Sequence, residues 1–222
     1  MNAAVLVAAG SSRRMGFDKL AAELCGKTVL ERSLEALVAC EAVQEVVVVS
    51  EAAFERPLGK AVRSVAGGPR RQDSVRAGVE ATSEGAEWVA VHDAARPLVT
   101  SATLNQLLRC AEENGSGVLA ARVVDSLSRA SSAGLVEEAL DREGLWAVQT
   151  PQVFRREILR EALAAVDRDG VEVTDEIGAV RYHGGEVRLM ENLDWNLKIT
   201  HPRDLELARW IWREREHGRD QV

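Results

Sequence analysis

The sequence predicts an α/β protein with a doubly wound, mostly parallel sheet, and two patterns support this fold class. Short runs rich in valine and alanine alternate along the chain with stretches of helical periodicity, as expected for successive strand–helix units. The runs are apolar at consecutive positions, which indicates strands that are buried on both faces. With 222 residues, of which 46% are hydrophobic, the chain has the size of one domain with a full core.

These patterns predict five strands and three helices in residues 1–121. The predicted strands are Ala3–Ala8, Val46–Ser50, Val62–Ala66, Trp88–Val91 and Val118–Ala121. The predicted helices are Val29–Ala39, Ser74–Ala81 and Ala102–Glu113. Because ligands of doubly wound sheets bind beyond the carboxyl ends of the strands, we expect functional residues in the turns that follow these strands.

The alternation is interrupted at residues 122–148, where scattered apolar residues surround the turn-like segment Ser131–Gly134. This pattern favours a β-hairpin that protrudes from the sheet as an arm, at about residues 122–147. Pro151 ends the excursion in this prediction. The helices predicted after it are Arg155–Val166, Asp175–Tyr182 and Pro202–Arg215. The chain shows no internal repeat and no linker-like segment, so we expect residues 1–222 to form a single domain.

Composition argues against several classes of function. The net charge of −7 disfavours nucleic-acid binding as the main role, and no segment approaches the roughly 20 apolar residues that cross a bilayer. The first residues lack the cationic lead of an export signal. Cys25, Cys40 and Cys110 are odd in number and widely spaced, which argues against disulfides or a zinc site. We therefore expect a cytoplasmic protein that binds neither nucleic acid nor membranes.

The first candidate site follows the first predicted strand, in the segment Ala8–Gly16 and at Lys19. Gly10 and its small neighbours let the backbone approach a ligand, so that successive N–H groups can cradle phosphate oxygens. Arg14 and Lys19 would add positive charge against a polyphosphate. The dinucleotide pattern G-x-G-x-x-G is absent, and Lys27 lacks the glycine of a Walker A loop, so we interpret Lys27 as a turn residue. An ordinary strand–helix turn with solvated arginines is the alternative.

A second glycine turn, Gly67–Ser74, follows the third predicted strand and opens a helix. A Gly-Gly backbone followed by serine at a helix start can hydrogen-bond the edge of a base. The alternative is structural, because Asp73 or Ser74 can cap that helix.

The third candidate is Asp93, which follows the apolar strand Trp88–Val91. A carboxylate at the carboxyl end of a buried strand faces the ligand crevice, and Mg²⁺ binds through one or two such carboxylates together with substrate phosphates. The alternatives are a helix-capping aspartate or an ion pair with Arg96. We interpret the neighbouring His92 as a hydrogen-bonded structural histidine, not as a base.

Weaker signals lie downstream at Ser126, Arg142, Thr150, Thr174 and Thr200. Three of them also have a structural interpretation: Thr174 and Thr200 can cap helices, and Arg142 can pair with Asp141 in the hairpin. We interpret Trp210 and Trp212 as packing residues of the last helix.

Taken together and in this order, these residues resemble the 2-C-methyl-D-erythritol 4-phosphate cytidylyltransferases of the non-mevalonate isoprenoid pathway, from Ala3 to Leu207. Many sugar-phosphate nucleotidyltransferases share the loop at residues 10–19. The motifs that are specific to this family lie later in the chain. They are His92–Pro97, Asp141-Arg142, Gly144–Trp146, Thr150–Gln152, Thr174–Glu176 and Lys198–Thr200. The resemblance implies a Rossmann-like nucleotidyltransferase fold.

The resemblance also implies the reaction, which is transfer of CMP from CTP to the 4-phosphate of methylerythritol with release of pyrophosphate, assisted by Mg²⁺ on Asp93. The implied catalytic residues are Arg14, Lys19 and Lys198. The implied nucleotide-binding residues are Ala8, Ala9, Gly10, Ser11, Ser12, Gly68, Ser74 and Ala94. The implied acceptor-binding residues are Arg96, Ser126, Arg142, Thr150, Thr174 and Thr200.

In the family the hairpin arm crosses to a second subunit, so the resemblance implies a homodimer in which Ser126 and Arg142 serve the neighbouring site. Three positions depart from the family pattern: Ser126 replaces a common threonine, Leu20 a frequent glutamine, and Pro69 removes a backbone donor after the glycine pair.

Two other functions stay open at this point. One is cytidylyl transfer to another polyol phosphate, such as ribitol 5-phosphate, although the Asp93–Arg96 stretch favours methylerythritol phosphate. The other is a nucleotide-binding sensor without turnover, against which the joint presence of Asp93, Lys19 and Lys198 argues.

Overall fold

A seven-stranded mixed sheet forms the centre of the computed structural model, which describes residues 1–9, 18–50 and 60–219. In chain order the strands are β1 (Asn2–Val7), β2 (Glu23–Leu24), β3 (Lys27–Thr28), β4 (Glu45–Val49), β5 (Ala61–Val65), β6 (Trp88–Asp93), β7 (Ser116–Arg122), β8 (Leu127–Ala130), β9 (Val136–Leu140), β10 (Trp146–Arg155) and β11 (Leu189–Glu191). The helices are α1 (Val29–Val38), α2 (Arg71–Glu80), α3 (Ser101–Asn114), α4 (Arg156–Arg168), α5 (Glu176–Tyr182) and α6 (Pro202–Arg219).

The central sheet has the strand order β11-β7-β10-β6-β1-β4-β5, and all neighbouring pairs are parallel except those of β10. The prediction of a mostly parallel, doubly wound sheet is therefore confirmed. Strand β10 runs antiparallel to both β6 and β7 and was not predicted. The short strands β2, β3 and β11 were missed as well.

We expected Pro151 to end the hairpin excursion. It lies instead inside β10. The pairing of β10 with β7 shifts register between Val148 and Gln152. Proline has no N–H to donate to a strand ladder, and it is tolerated where a bulge interrupts the ladder. A proline at this irregularity is therefore compatible with a central strand.

The helix caps differ from several of the predictions. Helix α2 begins at Arg71, ahead of the predicted Ser74, and Asp73 accepts the backbone N–H of Arg70 at 3.0 Å. Asp175, and not Thr174, caps α5 by accepting the N–H of Gly178 at 3.1 Å.

Two further predictions are corrected near helix starts. Asp204 accepts the backbone N–H groups of Thr200 and His201 at 2.8 and 2.7 Å. The Asp204 carboxylate, and not the Thr200 hydroxyl, therefore binds the backbone where α6 begins. Lys27 lies in the two-residue strand β3, directly before Thr28, which caps α1.

The core forms a layer on each face of the sheet. On one face, α2, α4 and α5 pack against alternate residues of β1, β4 and β6. On the other face, α1 and α3 pack against the intervening residues, and each fully buried valine or leucine contributes about 1.5–3 kcal/mol of transfer free energy. Gly78 lets α2 approach the sheet, because a Cβ there would lie 2.4 Å from Val5 Cγ1. Helix α6 packs over β2 in a third apolar cluster, and no helix among the described ranges could span a membrane.

The arm predicted at about residues 122–147 is present. Strands β8 and β9 pair with each other in a sheet of their own. The turn between them contains Ser131–Gly134, where Gly134 adopts a φ of +79°, a backbone region that favours glycine. Several apolar side chains of this region, among them Val124, Leu135 and Val136, are exposed.

Candidate active site

Asp93 lies at the carboxyl end of β6, as predicted, and both of its carboxylate oxygens accept hydrogen bonds from cations. Oδ1 accepts from Nε of Arg71 at 3.2 Å and from Nη2 of Arg71 at 3.0 Å, and Oδ2 accepts from Nζ of Lys198 at 2.7 Å. Burial alone would raise the pKa of Asp93, but the two cations outweigh it and hold that pKa well below its usual range. Asp93 is therefore an ionised, oriented carboxylate. The ion-pair partners of the Asp93 carboxylate are Arg71 and Lys198, and not Arg96, which was the alternative.

Arg71 connects Asp93 to a second buried carboxylate, Glu176. Nη1 of Arg71 lies 2.7 Å from Oε1 of Glu176, and Nη2 lies 3.2 Å from Oε2. Burial lowers the pKa of Arg71, but the two carboxylates outweigh it and raise the pKa above its ordinary value. Burial raises the pKa of Glu176, and the Arg71 guanidinium opposes this shift. Glu176 is the first residue of α5, where the helix dipole also favours a negative charge. The result is a guanidinium fork shared by two carboxylates.

A chain of hydrogen bonds fixes the backbone at Asp93. Nε2 of His92 lies 3.1 Å from the carbonyl oxygen of Arg96; a carbonyl only accepts, so Nε2 carries the proton. Nδ1 then accepts from the Thr150 hydroxyl at 3.2 Å, and that hydroxyl accepts the N–H of Asp93 at 3.0 Å. Burial lowers the pKa of His92 to about 4, so His92 is a neutral structural histidine, as expected. The buried Thr150 hydroxyl is used in holding Asp93.

Arg96 and Lys198 lie on the same side of the site. Ile199, which follows Lys198, donates its N–H to the carbonyl of Ala95 at 2.8 Å, and Nη1 of Arg96 donates to the carbonyl of Asn196 at 2.7 Å. Nε of Arg96 is buried and has no hydrogen-bond partner in the described part of the chain. Two cations thus lie beside Asp93. Lys198 forms an ion pair with it, and Arg96 has a buried Nε without a hydrogen-bond partner in the described part of the chain.

The other predicted acceptor-binding threonines lie at the edges of this site. Thr174 is exposed and precedes the α5 cap Asp175 by one residue, two residues before Glu176. The Thr200 hydroxyl donates to the carbonyl of Lys198 at 3.2 Å. Thr174 therefore presents its side chain to solvent near the cluster, whereas Thr200 supports the segment that carries Lys198.

The predicted nucleotide-binding turns lie next to each other at the ends of β1 and β5. A Cβ placed on Gly67 would lie 2.4 Å from Cβ of Ala9, so these two segments are in direct contact. Gly68 donates its N–H to the Ser74 hydroxyl at 3.1 Å, which uses that hydroxyl to shape the glycine turn. Ala8 donates its own N–H to Val49 at 2.8 Å.

Ala94 has a different position from the one expected of a nucleotide contact. It is fully buried, its N–H donates to the carbonyl of Val7 at 3.0 Å, and its carbonyl accepts from the Ser33 hydroxyl at 2.7 Å. The backbone polar groups of Ala94 thus have partners within the chain and support the sheet edge, and its contact with a nucleotide stays a prediction.

Four predicted residues of the phosphate loop, Gly10, Ser11, Ser12 and Arg14, lie outside the described residues. Lys19 lies in a turn and is partly buried.

Ser126 and Arg142 lie in the arm region and are exposed. Arg142 donates from Nη1 to the carbonyl of Val124 and does not pair with Asp141, whose carboxylate accepts the N–H of Glu143 at 2.9 Å. The two residues thus have the exposure that a role at another subunit requires.

Two charged residues of the site, Arg71 and Glu176, were missed as functional candidates. They are 105 positions apart, and no local spacing rule joins residues at that distance. The available signals were the position of Arg71 in the Gly67–Ser74 turn and the position of Glu176 in the Thr174–Glu176 motif.

The site offers one carboxylate for a divalent cation. Within the described ranges, no group of three or more histidine, cysteine, aspartate or glutamate side chains could hold a metal ion. Asp93 alone fits the way in which Mg²⁺ binds through one or two carboxylates and completes its coordination with phosphates and water.

Comparisons with known proteins agree on one family. The family model described as IspD: 2-C-methyl-D-erythritol 4-phosphate cytidylyltransferase matches residues 2–214. A 2-C-methyl-D-erythritol 4-phosphate cytidylyltransferase of Escherichia fergusonii is 40% identical over 215 residues, which are 92% of this chain and 91% of that protein. The crystal structure of the enzyme of that name from Thermus thermophilus superimposes with a TM-score of 0.80 at 33% identity, covering 96% of this chain and 100% of that one.

Some relatives are longer than this chain. A bifunctional enzyme IspD/IspF from Anaeromyxobacter sp. (strain Fw109-5) is 43% identical over 219 residues, which are 94% of this chain but 56% of that protein. The chain therefore spans little more than half the length of these bifunctional relatives.

Proposed function

The chain belongs to the 2-C-methyl-D-erythritol 4-phosphate cytidylyltransferase family, and on this basis we propose that it transfers CMP from CTP to the 4-phosphate of 2-C-methyl-D-erythritol. The products are 4-diphosphocytidyl-2-C-methyl-D-erythritol and pyrophosphate. An oxygen of the acceptor phosphate attacks the α-phosphorus of CTP, and the bond from that phosphorus to the pyrophosphate oxygen breaks. The nucleophile is already an anion, so the step needs no general base, in keeping with the neutral, buried His92.

The main barrier to this reaction is electrostatic, because a phosphate monoester and a triphosphate are both anions. Positioning and charge stabilisation supply most of the catalysis in phosphoryl-transfer enzymes. In our proposal Lys198, Lys19 and Arg14 supply positive charge to the triphosphate, and Arg96 binds the acceptor phosphate. The support for Arg96 is its buried Nε, which has no partner among the residues that the structure describes.

We assign the divalent cation to Asp93 and propose Mg²⁺. When bound, the ion supplies charge neutralisation between the two phosphate groups and on the departing pyrophosphate. The contribution of the chain is an ionised carboxylate whose backbone is anchored by Thr150 and whose Oδ1 is fixed by Arg71. Lys198 binds Oδ2 with a side chain that is 40% exposed, so it can turn from Asp93 to the substrate phosphates.

We further propose a homodimer in which the arm places Ser126 and Arg142 at the site of the second subunit. Their exposure and the exposed apolar residues Val124, Leu135 and Val136 support this assembly, because apolar patches on an extended hairpin are typical of an interface. Gly68, Ser74 and the segment at Ala9 would bind cytidine, and Thr174 the acceptor.

The observation that carries the proposal is the ionised Asp93 at the end of β6, shared by Arg71 and Lys198, in a chain of this family. An activity grid tests it. Pyrophosphate release is measured with CTP, UTP, GTP or ATP against methylerythritol phosphate, ribitol 5-phosphate and a sugar 1-phosphate. We expect turnover with CTP and methylerythritol phosphate. Preferred turnover with ribitol 5-phosphate would reassign the acceptor, and tight CTP binding without turnover of any acceptor would indicate a sensor.

A further inference from the structure

Glu176 is a buried carboxylate for which the reaction described above has no role. Only 1% of the residue is exposed, and its charge is matched by a single described ion pair, with Arg71. Removing a charge from water is costly even when the charge is paired, so a buried glutamate beside a reactive site needs a reason. Its position next to the Asp93 cluster points to charge balance.

The formal charges of the cluster show what Glu176 changes. Asp93 contacts two cations, Arg71 and Lys198, so those three side chains alone would carry a net charge of +1. A net positive charge disfavours a divalent cation at the same carboxylate. With Glu176 included, the four ion-paired side chains are neutral, and they become negative by one unit when Lys198 moves to the substrate phosphates. The neighbouring Arg96 and Asp175 carry opposite charges and leave this sum unchanged.

The geometry of Arg71 divides its charge between the two carboxylates. Among the described residues, Nη1 contacts Glu176 alone, Nε contacts Asp93 alone, and Nη2 contacts both. A guanidinium fork held at both ends loses its freedom to rotate, and it therefore fixes Oδ1 of Asp93. In the described part of the chain, Oδ2 is bound by the flexible side chain of Lys198 and by no other group.

We infer that Glu176 is a positioning residue: it fixes the Arg71 guanidinium and offsets its charge, so that Asp93 can hold a divalent cation once Lys198 leaves it. This inference rests on the proposed function and adds a residue that touches neither substrate nor cation. It also explains why the glutamate of the Thr174–Glu176 segment is buried while Thr174 is exposed.

The test compares Glu176→Gln with Glu45→Gln. Glu45 is a matched control, because it is also buried (3% exposed) and also pairs with an arginine, Arg63, at 2.6 Å, but it lies at the amino end of β4. The affinity for CTP is measured by calorimetry without an acceptor, with and without saturating Mn²⁺. The readout is the factor by which Mn²⁺ tightens CTP binding, together with kcat and the unfolding temperature.

We expect Glu176→Gln to reduce both the Mn²⁺ effect and kcat by about 10- to 100-fold, the range for residues that orient metal ligands, whereas Glu45→Gln changes only the unfolding temperature. The double variant Arg71→Gln/Glu176→Gln, which removes both charges, should regain part of the Mn²⁺ effect lost in the single variant. A purely structural role predicts that the double variant is at least as impaired as the single one.

The inference is overturned if Glu176→Gln matches Glu45→Gln in the Mn²⁺ effect, or if the double variant regains nothing. Should Glu176→Gln fail to fold, the double variant decides alone: a Mn²⁺ effect within about tenfold of wild type supports the inference, and its absence overturns it. Because this readout is CTP binding, its failure is distinct from a failure of the proposed reaction, which the activity grid reports on the wild-type protein.

Discussion

The cluster around Asp93 and the arm of β8 and β9 differ in how completely one chain defines them. In the cluster, side chains from α2, α5 and the segment before α6 converge on a single strand end, and the charges are paired over distances of 2.7–3.2 Å. In the arm, the two strands pair with each other, and Val124 is 76% exposed. The ion pair Arg129–Glu138, at 3.3 Å, joins two side chains that are both more than half exposed.

This difference shows which functional groups a single chain can position. Buried charges need partners, so the geometry of the cluster follows from the fold of one chain. The exposed apolar residues of the arm are left uncovered by the described part of their own chain, and the proposed second subunit would supply their contacts. Substitutions in the cluster should therefore change catalysis, whereas substitutions in the arm should change the assembly of the proposed dimer.

The largest effect is expected at Lys198. Lys198→Ala removes a cation that stabilises charge in the reaction and should lower turnover by about 100-fold or more, and we expect the same of Lys19→Ala. Lys27→Ala is the matched control, since Lys27 lies in a surface pair with Glu35 and should leave turnover unchanged. Steady-state kcat values check this, and full activity in Lys198→Ala would remove that residue from the mechanism.

The comparison with the arm predicts complementation between two inactive variants. Asp93→Ala damages the site of its own chain, whereas Arg142→Ala damages that of its neighbour. When equal amounts of the two variants exchange subunits at random, half of the dimers are mixed. Each mixed dimer keeps one of its two composite sites intact, so about a quarter of wild-type activity should return. No recovery despite demonstrated subunit exchange would show that the arm does not complete the second site.

Variants of Thr150 and Thr174 distinguish a residue that supports the cluster from one that contacts the substrate. Thr150→Val removes the hydroxyl that joins Asp93 to His92 and should cost about 1–3 kcal/mol of unfolding free energy, with little change in the KM for the acceptor. Thr174→Val, at an exposed position, should raise that KM and leave stability unchanged. Denaturant unfolding and acceptor titrations measure both, and the reverse pattern would exchange the two roles.

The smallest effect is expected for the exposed ion pair of the arm. Exposed pairs contribute about 0.2–1 kcal/mol at most, so Arg129→Ala should change the unfolding free energy by less than about 0.5 kcal/mol and leave the dimer intact in sedimentation. A loss of dimer would show that this pair contributes to the interface and is not merely solvated.

Local patterns predicted the parts of the fold that local physics controls. The apolar runs of β1, β4 and β6 predicted strands because burial on both faces selects valine and alanine there. Strand β10 was missed because its residues Gln149–Gln152 are polar apart from a proline, and its place between β6 and β7 depends on tertiary pairing.

The same distinction applies to the site. Asp93 was predicted because a strand end can be located from neighbouring residues, and its contact with Lys198 depends on the fold. The contact between Arg71 and Glu176 joins residues 105 positions apart, so only the folded chain reveals it. The position of Ala94 beneath the sheet edge, with its backbone paired to Val7 and Ser33, likewise depends on packing that no local pattern encodes.

The most direct test of the account is a crystal structure with CTP and Mn²⁺, in which anomalous scattering locates the cation. We expect the anomalous peak in contact with the Asp93 carboxylate and the triphosphate, and Lys198 moved from Oδ2 towards the phosphates. A cation bound to the nucleotide but remote from Asp93, with the Lys198 pair intact, would contradict the account.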